Sequence, residues 1–212
     1  LMNNTNAVSA ALFKALPYDP VKDFAMVSTI GAFSIAVLVA PDSPAKSLKD
    51  LIAQAKGNPG RFNIGSINIG STQHLAGELF KAMAGLDVVA VPFNNTAGVL
   101  TALRGGNVQV AFEFLPPVLG QIRAGSLRAL AVSPPRRFHL LPDVPTVAEA
   151  GVPGYEVTSW NGIAAPARTP RAIVDRLNAE IRAAVSSPEV SRRFQELGVE
   201  QDRKSTRLNS SH

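Results

Sequence analysis

Apolar residues recur along the chain with two alternating periodicities, one helical and one extended. The clearest helical stripe follows Ser47, where Asp50 completes an N-terminal capping pattern and Gly57-Asn58-Pro59-Gly60 ends the helix. Further helices are predicted over 8–16, 71–84, 96–104, 117–124 and 144–150, and after Pro170 and Ser187. Strands are predicted over 33–40, 61–65, 88–93, 108–114 and 127–132, with extended chain over 155–165. This alternation predicts an α/β fold with a largely parallel sheet.

The amino-acid composition mainly excludes kinds of site and partner. Apolar residues make up 46% of the 212 residues and charged residues 17%, which is enough apolar material for a packed core. The absence of cysteine excludes a disulfide framework, a thiolate zinc site and a cysteine nucleophile. The apolar run over 30–40 is too short to cross a bilayer. The positive charges are scattered and no aromatic residues interleave them, so we predict no nucleic-acid partner.

The two ends of the chain differ from its interior. Residues 202–212 lack apolar periodicity and match the translation of a common sequencing adapter, so we expect them to be an artefact. Without them the net charge of +5 falls to +3. Leu1-Met2 has the character of a strand end and Asn3–Asn6 that of a loop, and no signal peptide is visible. We therefore expect a fragment that is open at both ends.

The segment between the predicted strand 61–65 and the predicted helix 71–84 is the best candidate for a ligand site. Gly70 permits close backbone approach, and the first turn of the helix offers unpaired amides at the positive end of the helix dipole. Ser66, Ser71 and Thr72 add hydroxyl groups. Known phosphate-binding patterns are absent, so a small carboxylate fits better than a nucleotide. An ordinary capped helix after a glycine-rich turn explains the same pattern equally well.

Two titratable residues accompany this segment. His74 lies on the first turn of the helix and could donate to a bound anion, although a packed structural histidine is the simpler interpretation. Glu113 ends the predicted strand 108–114 and could meet an ammonium or hydroxyl group, although an exposed strand terminus is simpler. His74 and Glu78 alone are too few ligands for a metal ion, so we predict neither a metal nor a cofactor.

The sequence offers few residues that could form a catalytic site. No Gly-x-Ser-x-Gly motif occurs, and no pair of carboxylates fits a general acid and base. Ser71 and His74 share a helical face, but no carboxylate is evident to orient the imidazole. We predict that the protein is not an enzyme, with an α/β hydrolase-like enzyme as an alternative.

Several segments, taken in order, resemble one family, the Bug substrate-binding proteins of tripartite tricarboxylate transporters, also called TctC-like. The segments are Leu16–Pro20, Asp23-Phe24, Gly70-Ser71, His74-Leu75, Glu78–Phe80, Val91–Phe93, Leu103–Val108, Ile122–Gly125, Leu127–Val132, Leu141–Val147, Gly154–Glu156, Trp160–Gly162 and Ala165–Pro170. The likeness extends from about residue 3 to residue 200.

The resemblance implies a type II-like periplasmic binding protein, with two α/β lobes around a ligand cleft. The first lobe would combine 1–38 with 157–201 and be incomplete, and the second would span 39–156. The family's anion-binding loop matches Ser66 and the segment from Gly70 to Thr72. At 113–114 the chain has Glu-Phe where the family usually has Asp-Asn, a change expected near the cleft.

The resemblance also implies a biological role. The protein would be a periplasmic monomer that captures a small carboxylate and presents it to membrane transporter subunits. A ligand sensor that acts on a membrane partner is the alternative, and the sequence does not separate the two.

Overall fold

The computed structural model describes residues 1–201, which divide into two compact units. Unit 1 comprises Leu1–Phe33 and the chain from Ser159 onward, and unit 2 comprises Ser34–Thr158. These bounds differ by a few residues from those of the expected lobes. That the two units serve as ligand-binding lobes stays a prediction. The predicted adapter segment, 202–212, lies outside the described residues.

Most helices and strands lie where the apolar pattern predicts them, but the pattern does not predict the strand over Phe24–Phe33. The predicted largely parallel sheet is wrong, because more of the strand pairs are antiparallel than parallel. The strands are β1 (Met2–Asn3), β2 (Phe24–Phe33), β3 (Ile35–Val39), β4 (Asn63–Ile67), β5 (Val89–Phe93), β6 (Val110–Phe114), β7 (Arg128–Val132) and β8 (Ser159–Pro166). The helices are α1 (Asn4–Leu12), α2 (Leu48–Gly57), α3 (Thr72–Ala84), α4 (Thr96–Arg104), α5 (Leu115–Arg123), α6 (Arg171–Val185) and α7 (Pro188–Leu197). Among the described residues, no helix is both long and apolar enough to span a membrane.

Unit 2 is built on a five-stranded sheet with the order β5-β4-β6-β3-β7. β4 is parallel to both β5 and β6, whereas β3 is antiparallel to β6 and β7. β4, β5, β6 and β7 therefore all end on the same side of the sheet, which we call its carboxyl end. α3, α4 and α5 begin there, because each follows one of these strands.

Apolar layers cover both faces of this sheet. Successive residues of β6 alternate between them, with Val110 and Phe112 in one layer and Ala111 in the other. The first layer also contains Phe80 of α3, and the second contains Leu103 of α4. The helices whose first turns lie at the carboxyl end are thus held by buried apolar side chains.

Unit 1 has an antiparallel three-stranded sheet with the order β1-β8-β2. A small buried cluster of Val27, Ala165 and Val174 joins β2, β8 and α6. The chain after α7 also returns to β2, where Ala32 and Glu200 exchange backbone hydrogen bonds of 2.7 and 3.0 Å.

Three predictions about local structure are wrong. The helix predicted over 144–150 is a series of turns in which Thr146 forms a bridge with Val132. Asn3–Asn6 is not a loop, since the Asn3 side chain caps α1 in a capping box with Asn6. The helix predicted over 8–16 therefore begins at Asn4 and ends at Leu12.

Tyr155 supplies a testable contact between α3 and the end of unit 2. Burial raises the pKa of its phenol, which stays protonated and donates to the Ala76 carbonyl oxygen at 2.9 Å. Replacing Tyr155 by phenylalanine is expected to lower the free energy of unfolding by about 1 kcal/mol, measured by urea denaturation. Tyr18→Phe is the control, with a change expected within about 0.5 kcal/mol because Tyr18 is only half-buried. Equal losses in both variants would contradict the assignment.

Candidate functional site

The candidate site lies at the carboxyl end of the unit 2 sheet. β4 pairs with β5 as far as Ile67 and Phe93, and β6 runs parallel to β4 on its other side. The first turns of α3 and α4 follow β4 and β5 directly. In parallel α/β sheets this is the side on which ligands bind, because strand ends and helix N-termini gather there.

A tight loop, residues 68–71, joins β4 to α3. The Asn68 amide donates to the Phe93 carbonyl oxygen at 2.9 Å, and the Ser71 amide donates to the Asn68 carbonyl oxygen at 3.1 Å. Asn68 and Gly70 have φ angles of +30° and +82°, in the left-handed region. Glycine at position 70 avoids the steric cost of this conformation. The loop is thus a defined turn fixed to the end of β5.

Ser71 and His74 fix the loop to the first turn of α3. The Ser71 hydroxyl accepts from the His74 amide at 3.1 Å, as an N-cap does, and donates to the Ile67 carbonyl oxygen. His74 Nδ1 accepts from the Gly70 amide at 3.4 Å. His74 therefore supports the loop through Nδ1, and only its Nε2 remains for a ligand.

Ser66 and Glu113 carry unusual buried polar atoms. Both side chains are buried, and neither Ser66 Oγ nor Glu113 Oε1 has a hydrogen-bond partner among the described residues. Burial of such an atom without a partner costs free energy. An orphan donor or acceptor at the carboxyl end is the feature that a bound polar ligand would satisfy.

The second carboxylate oxygen of Glu113, Oε2, has two side-chain hydrogen-bond donors. Oε2 accepts from Thr96 Oγ1 at 3.1 Å and from Gln73 Nε2 at 3.5 Å. Desolvation by burial raises the pKa of Glu113, outweighing these hydrogen bonds and one from the Phe114 backbone amide. The simpler interpretation of Glu113 as an exposed strand terminus is wrong, since the residue is 0% exposed.

Sequence reasoning missed Gln73 and Thr96 as members of this group. Both lie in the first turn of a helix that follows a parallel strand, and that position is a signal that was available in the sequence. The structure brings the six predicted residues to one end of one sheet: Ser66, Gly70, Ser71, Thr72, His74 and Glu113. Their role in binding a ligand stays a prediction.

Chemically, the group offers neutral hydrogen-bond donors and one buried carboxyl group. The first-turn amides of α3 and α4 lack acceptors within their helices, and the helix dipoles favour an anion beside them. Within residues 1–201, no group of three or more His, Asp or Glu side chains could hold a metal ion. The arrangement suits recognition of a small anionic molecule by hydrogen bonds.

Comparison with known proteins assigns the chain to a family. Residues 1–208 match the sequence profile of TctC, described as the tripartite tricarboxylate transporter family receptor. The chain belongs to the TctC family. The resemblance to the Bug proteins is confirmed, because the chain is also 34% identical over 193 residues to the protein BugT of Bordetella pertussis. That match covers 91% of this chain and 59% of BugT.

Solved structures of TctC-type proteins share the fold. Rpa4515 of R. palustris, solved with adipate, has a TM-score of 0.82 and 38% identity over 89% of this chain and 63% of its own. MatC of Rhodopseudomonas palustris, solved with bound malate, has a TM-score of 0.84 and 30% identity over 96% of this chain and 69% of its own. The chain thus spans about 60% of the length of the curated relatives that it matches.

These similarities test two of the predictions, the fold class and the choice between a binding protein and an enzyme. The type II-like periplasmic binding protein fold is confirmed, since the periplasmic binding protein BugD also matches with a TM-score of 0.84. The TctC family and these structural neighbours are solute-binding proteins and not enzymes, so the hydrolase-like alternative is excluded.

Proposed function

We propose that this protein is a periplasmic receptor that captures a small carboxylate and delivers it to the membrane subunits of a tripartite tricarboxylate-type transporter. Family membership supports the receptor role, and the family description supports the transporter partner. The adipate and malate bound to the two structural neighbours support a small carboxylate as the ligand.

The observation that carries the proposal is the buried hydroxyl of Ser66, which has no partner among the described residues and lies near the end of the strand that precedes α3. By strand alternation Ser66 lies on the same face as Ile64, which is the face that α3 covers. A ligand carboxylate oxygen can accept from this hydroxyl and from the first-turn amides, and the helix dipole stabilises its charge. One carboxylate would then supply an acceptor for the Ser66 hydroxyl, which has none among the described residues.

The 68–71 loop would set the shape of this site before the ligand arrives. Its turn is closed by hydrogen bonds to Phe93 and within the loop itself, and His74 braces Gly70. A preformed donor array loses little conformational freedom on binding, which favours affinity for a small molecule with few atoms. The rest of the ligand, including its second polar group, would then determine which carboxylates bind.

Calorimetry with malate and adipate tests the proposal on two matched N-cap variants. Ser71 and Ser47 cap α3 and α2 in the same way, accepting from the third helical amide at 3.1 and 3.2 Å. Ser71→Ala and Ser47→Ala are each expected to cost about 1 kcal/mol of stability. Only Ser71→Ala is expected to weaken carboxylate binding, by about tenfold or ~1.4 kcal/mol, because its hydroxyl also orders the 68–71 loop.

Two results would contradict the proposal, each in a different part. If both variants bind malate and adipate as tightly as the unmodified protein does, the site at α3 is wrong. If the unmodified whole protein gives neither heat nor a thermal shift with mono-, di- or tricarboxylates, the proposed ligand class is wrong.

A further inference from the structure

The buried carboxyl group of Glu113 has a geometry that the receptor role alone does not explain. We propose that Glu113 binds the ligand in its protonated form, donating from Oε1 to a carboxylate oxygen of the ligand, so that ligand capture is linked to one proton. This inference rests on the proposed function and specifies how the same site is regulated.

Hydrogen bonds distinguish the two oxygens of Glu113. Oε2 accepts from the Thr96 hydroxyl and the Gln73 amide group, so both of its lone pairs are engaged. Oε1 is buried and has no partner among the described residues. A proton therefore belongs on Oε1, where it makes the carboxyl group a donor that lacks an acceptor. A carboxylate oxygen of the ligand would supply that acceptor.

The surroundings of Glu113 favour the neutral form. Burial raises the pKa of the carboxyl group, and no cationic side chain contributes to the shift. β3, β4 and β5 contain no titratable residue. The titratable groups of α4 and α5 are Arg104 and Arg123, which lie in the last turns, away from the carboxyl end.

α3 and β7 complete these surroundings. α3 brings His74 in its first turn and the Glu78–Lys81 ion pair further along, and β7 brings Arg128 at its start, where it donates to backbone carbonyl oxygens. His74 is therefore the titratable side chain that α3 brings to the carboxyl end of unit 2.

An ionised Glu113 would act in the opposite way. Its charge would repel a ligand carboxylate, and burial would oppose the charge because the group has neutral donors and no cationic partner. Such a group would require a ligand ammonium instead. Malate and aspartate differ in this feature alone, since a hydroxyl group in one replaces the ammonium group of the other, so the pair separates the two cases.

The sign of the pH effect follows from linkage. Because the neutral form binds, affinity is present below the pKa of Glu113 in the free protein and is lost as the pH rises through it. Between about pH 7 and pH 9 malate stays almost fully ionised, so its own titration does not contribute. Above the pKa of Glu113, malate affinity is expected to fall by up to about tenfold per pH unit, with uptake of up to about one proton per ligand.

The experiment is calorimetry of malate, aspartate and adipate binding across this range, in buffers of different ionisation enthalpy. Proton uptake with malate and adipate, and weaker binding of aspartate than of malate, are expected for the unmodified protein. In Glu113→Gln an amide group donates without titrating, so the change of malate affinity with pH and the proton uptake are expected to disappear. Thermal unfolding of Glu113→Gln verifies that it is folded.

Several results would overturn the inference while leaving the proposed function intact. Malate binding without proton uptake would show that capture is not linked to a proton. Tighter binding of aspartate, with affinity that falls on acidification, would show that Glu113 is ionised in the complex. A pH dependence that persists in Glu113→Gln and disappears in His74→Gln would assign the proton to His74. Failure of every carboxylate to bind at any pH would instead count against the proposed function.

Discussion

Replacing Thr72 by proline is expected to weaken malate binding by about 10- to 100-fold while α3 still forms. Thr72 is the first residue of α3, so its amide lies at the positive end of the helix dipole. Proline removes that amide from the proposed anion site, and loss of a hydrogen bond to a charged group costs about 1.5–3 kcal/mol. Calorimetry and thermal unfolding measure the two effects.

The chain itself contains the arrangement that this variant would create. Ser187 precedes Pro188 at the start of α7 with φ −62° and ψ 146°, and Ser71 has φ −66° and ψ 159°. Proline is favoured at the first helical position, and the residue before it prefers this extended conformation. The helix of Thr72→Pro is therefore expected to form normally.

Thr72→Val is the matched control, because it removes the hydroxyl group and keeps the amide. Thr72→Pro is expected to bind malate at least about tenfold more weakly than Thr72→Val, the difference being one charge-assisted hydrogen bond. Equal affinities in the two folded variants would mean that the amide of Thr72 does not contact the ligand.

Replacing Phe112 by alanine is expected to lower the free energy of unfolding by about 3–5 kcal/mol, a large part of the stability of an ordinary domain. Phe112 is fully buried between β6 and α3, with its ring centroid 5.6 Å from that of Phe80. α3 lies close to the sheet here, since a Cβ atom at Gly77 would be 3.6 Å from the Phe112 ring. The cavity left by alanine would loosen the helix that begins at the ligand site.

Urea denaturation of Phe112→Ala and of the milder variant Phe112→Leu checks this account. Leucine keeps most of the apolar volume, so its loss is expected to be well below that of alanine. A loss of less than about 1 kcal/mol in Phe112→Ala would contradict the central position of this ring in the core.

Elements with strong local signals could be predicted from the sequence. Ser47 and Asp50 form the expected capping box at the start of α2, and α4 spans Thr96–Arg104 as the apolar stripe predicts. Gly198 ends α7 in the left-handed conformation, as its position after the last apolar residue indicates. In these cases the capping chemistry and the helical period agree, so neighbouring elements are not needed to decide the structure.

Elements that depend on distant partners could not be predicted in the same way. β2 pairs with β8, more than a hundred residues later in the chain, and its register is broken by two irregularities that obscure a strict alternation. The turns over 144–150 replace a helix because Val132 and Thr146 pair across the end of β7. Pairing of this kind overrides a weak local preference.

The candidate site was predictable in its location and not in its hydrogen bonds. Glycine and hydroxyl residues between a strand and a helix indicate Ser66 and the 68–71 loop from local sequence alone. The side chains that donate to the buried Glu113 belong to Gln73 and Thr96, which are 40 and 17 residues away along the chain. Only the strand order, with β6 beside β4, brings these side chains together.

A crystal structure of the whole protein grown with malate tests the central claim most directly. The account predicts one malate carboxylate within hydrogen-bond distance of Ser66 Oγ and the first-turn amides of α3. An oxygen of the other carboxylate is expected next to Glu113 Oε1, because strand alternation puts Ser66 and Glu113 on opposite faces of the sheet. Malate bound elsewhere, with Ser66 and Glu113 untouched, would contradict it.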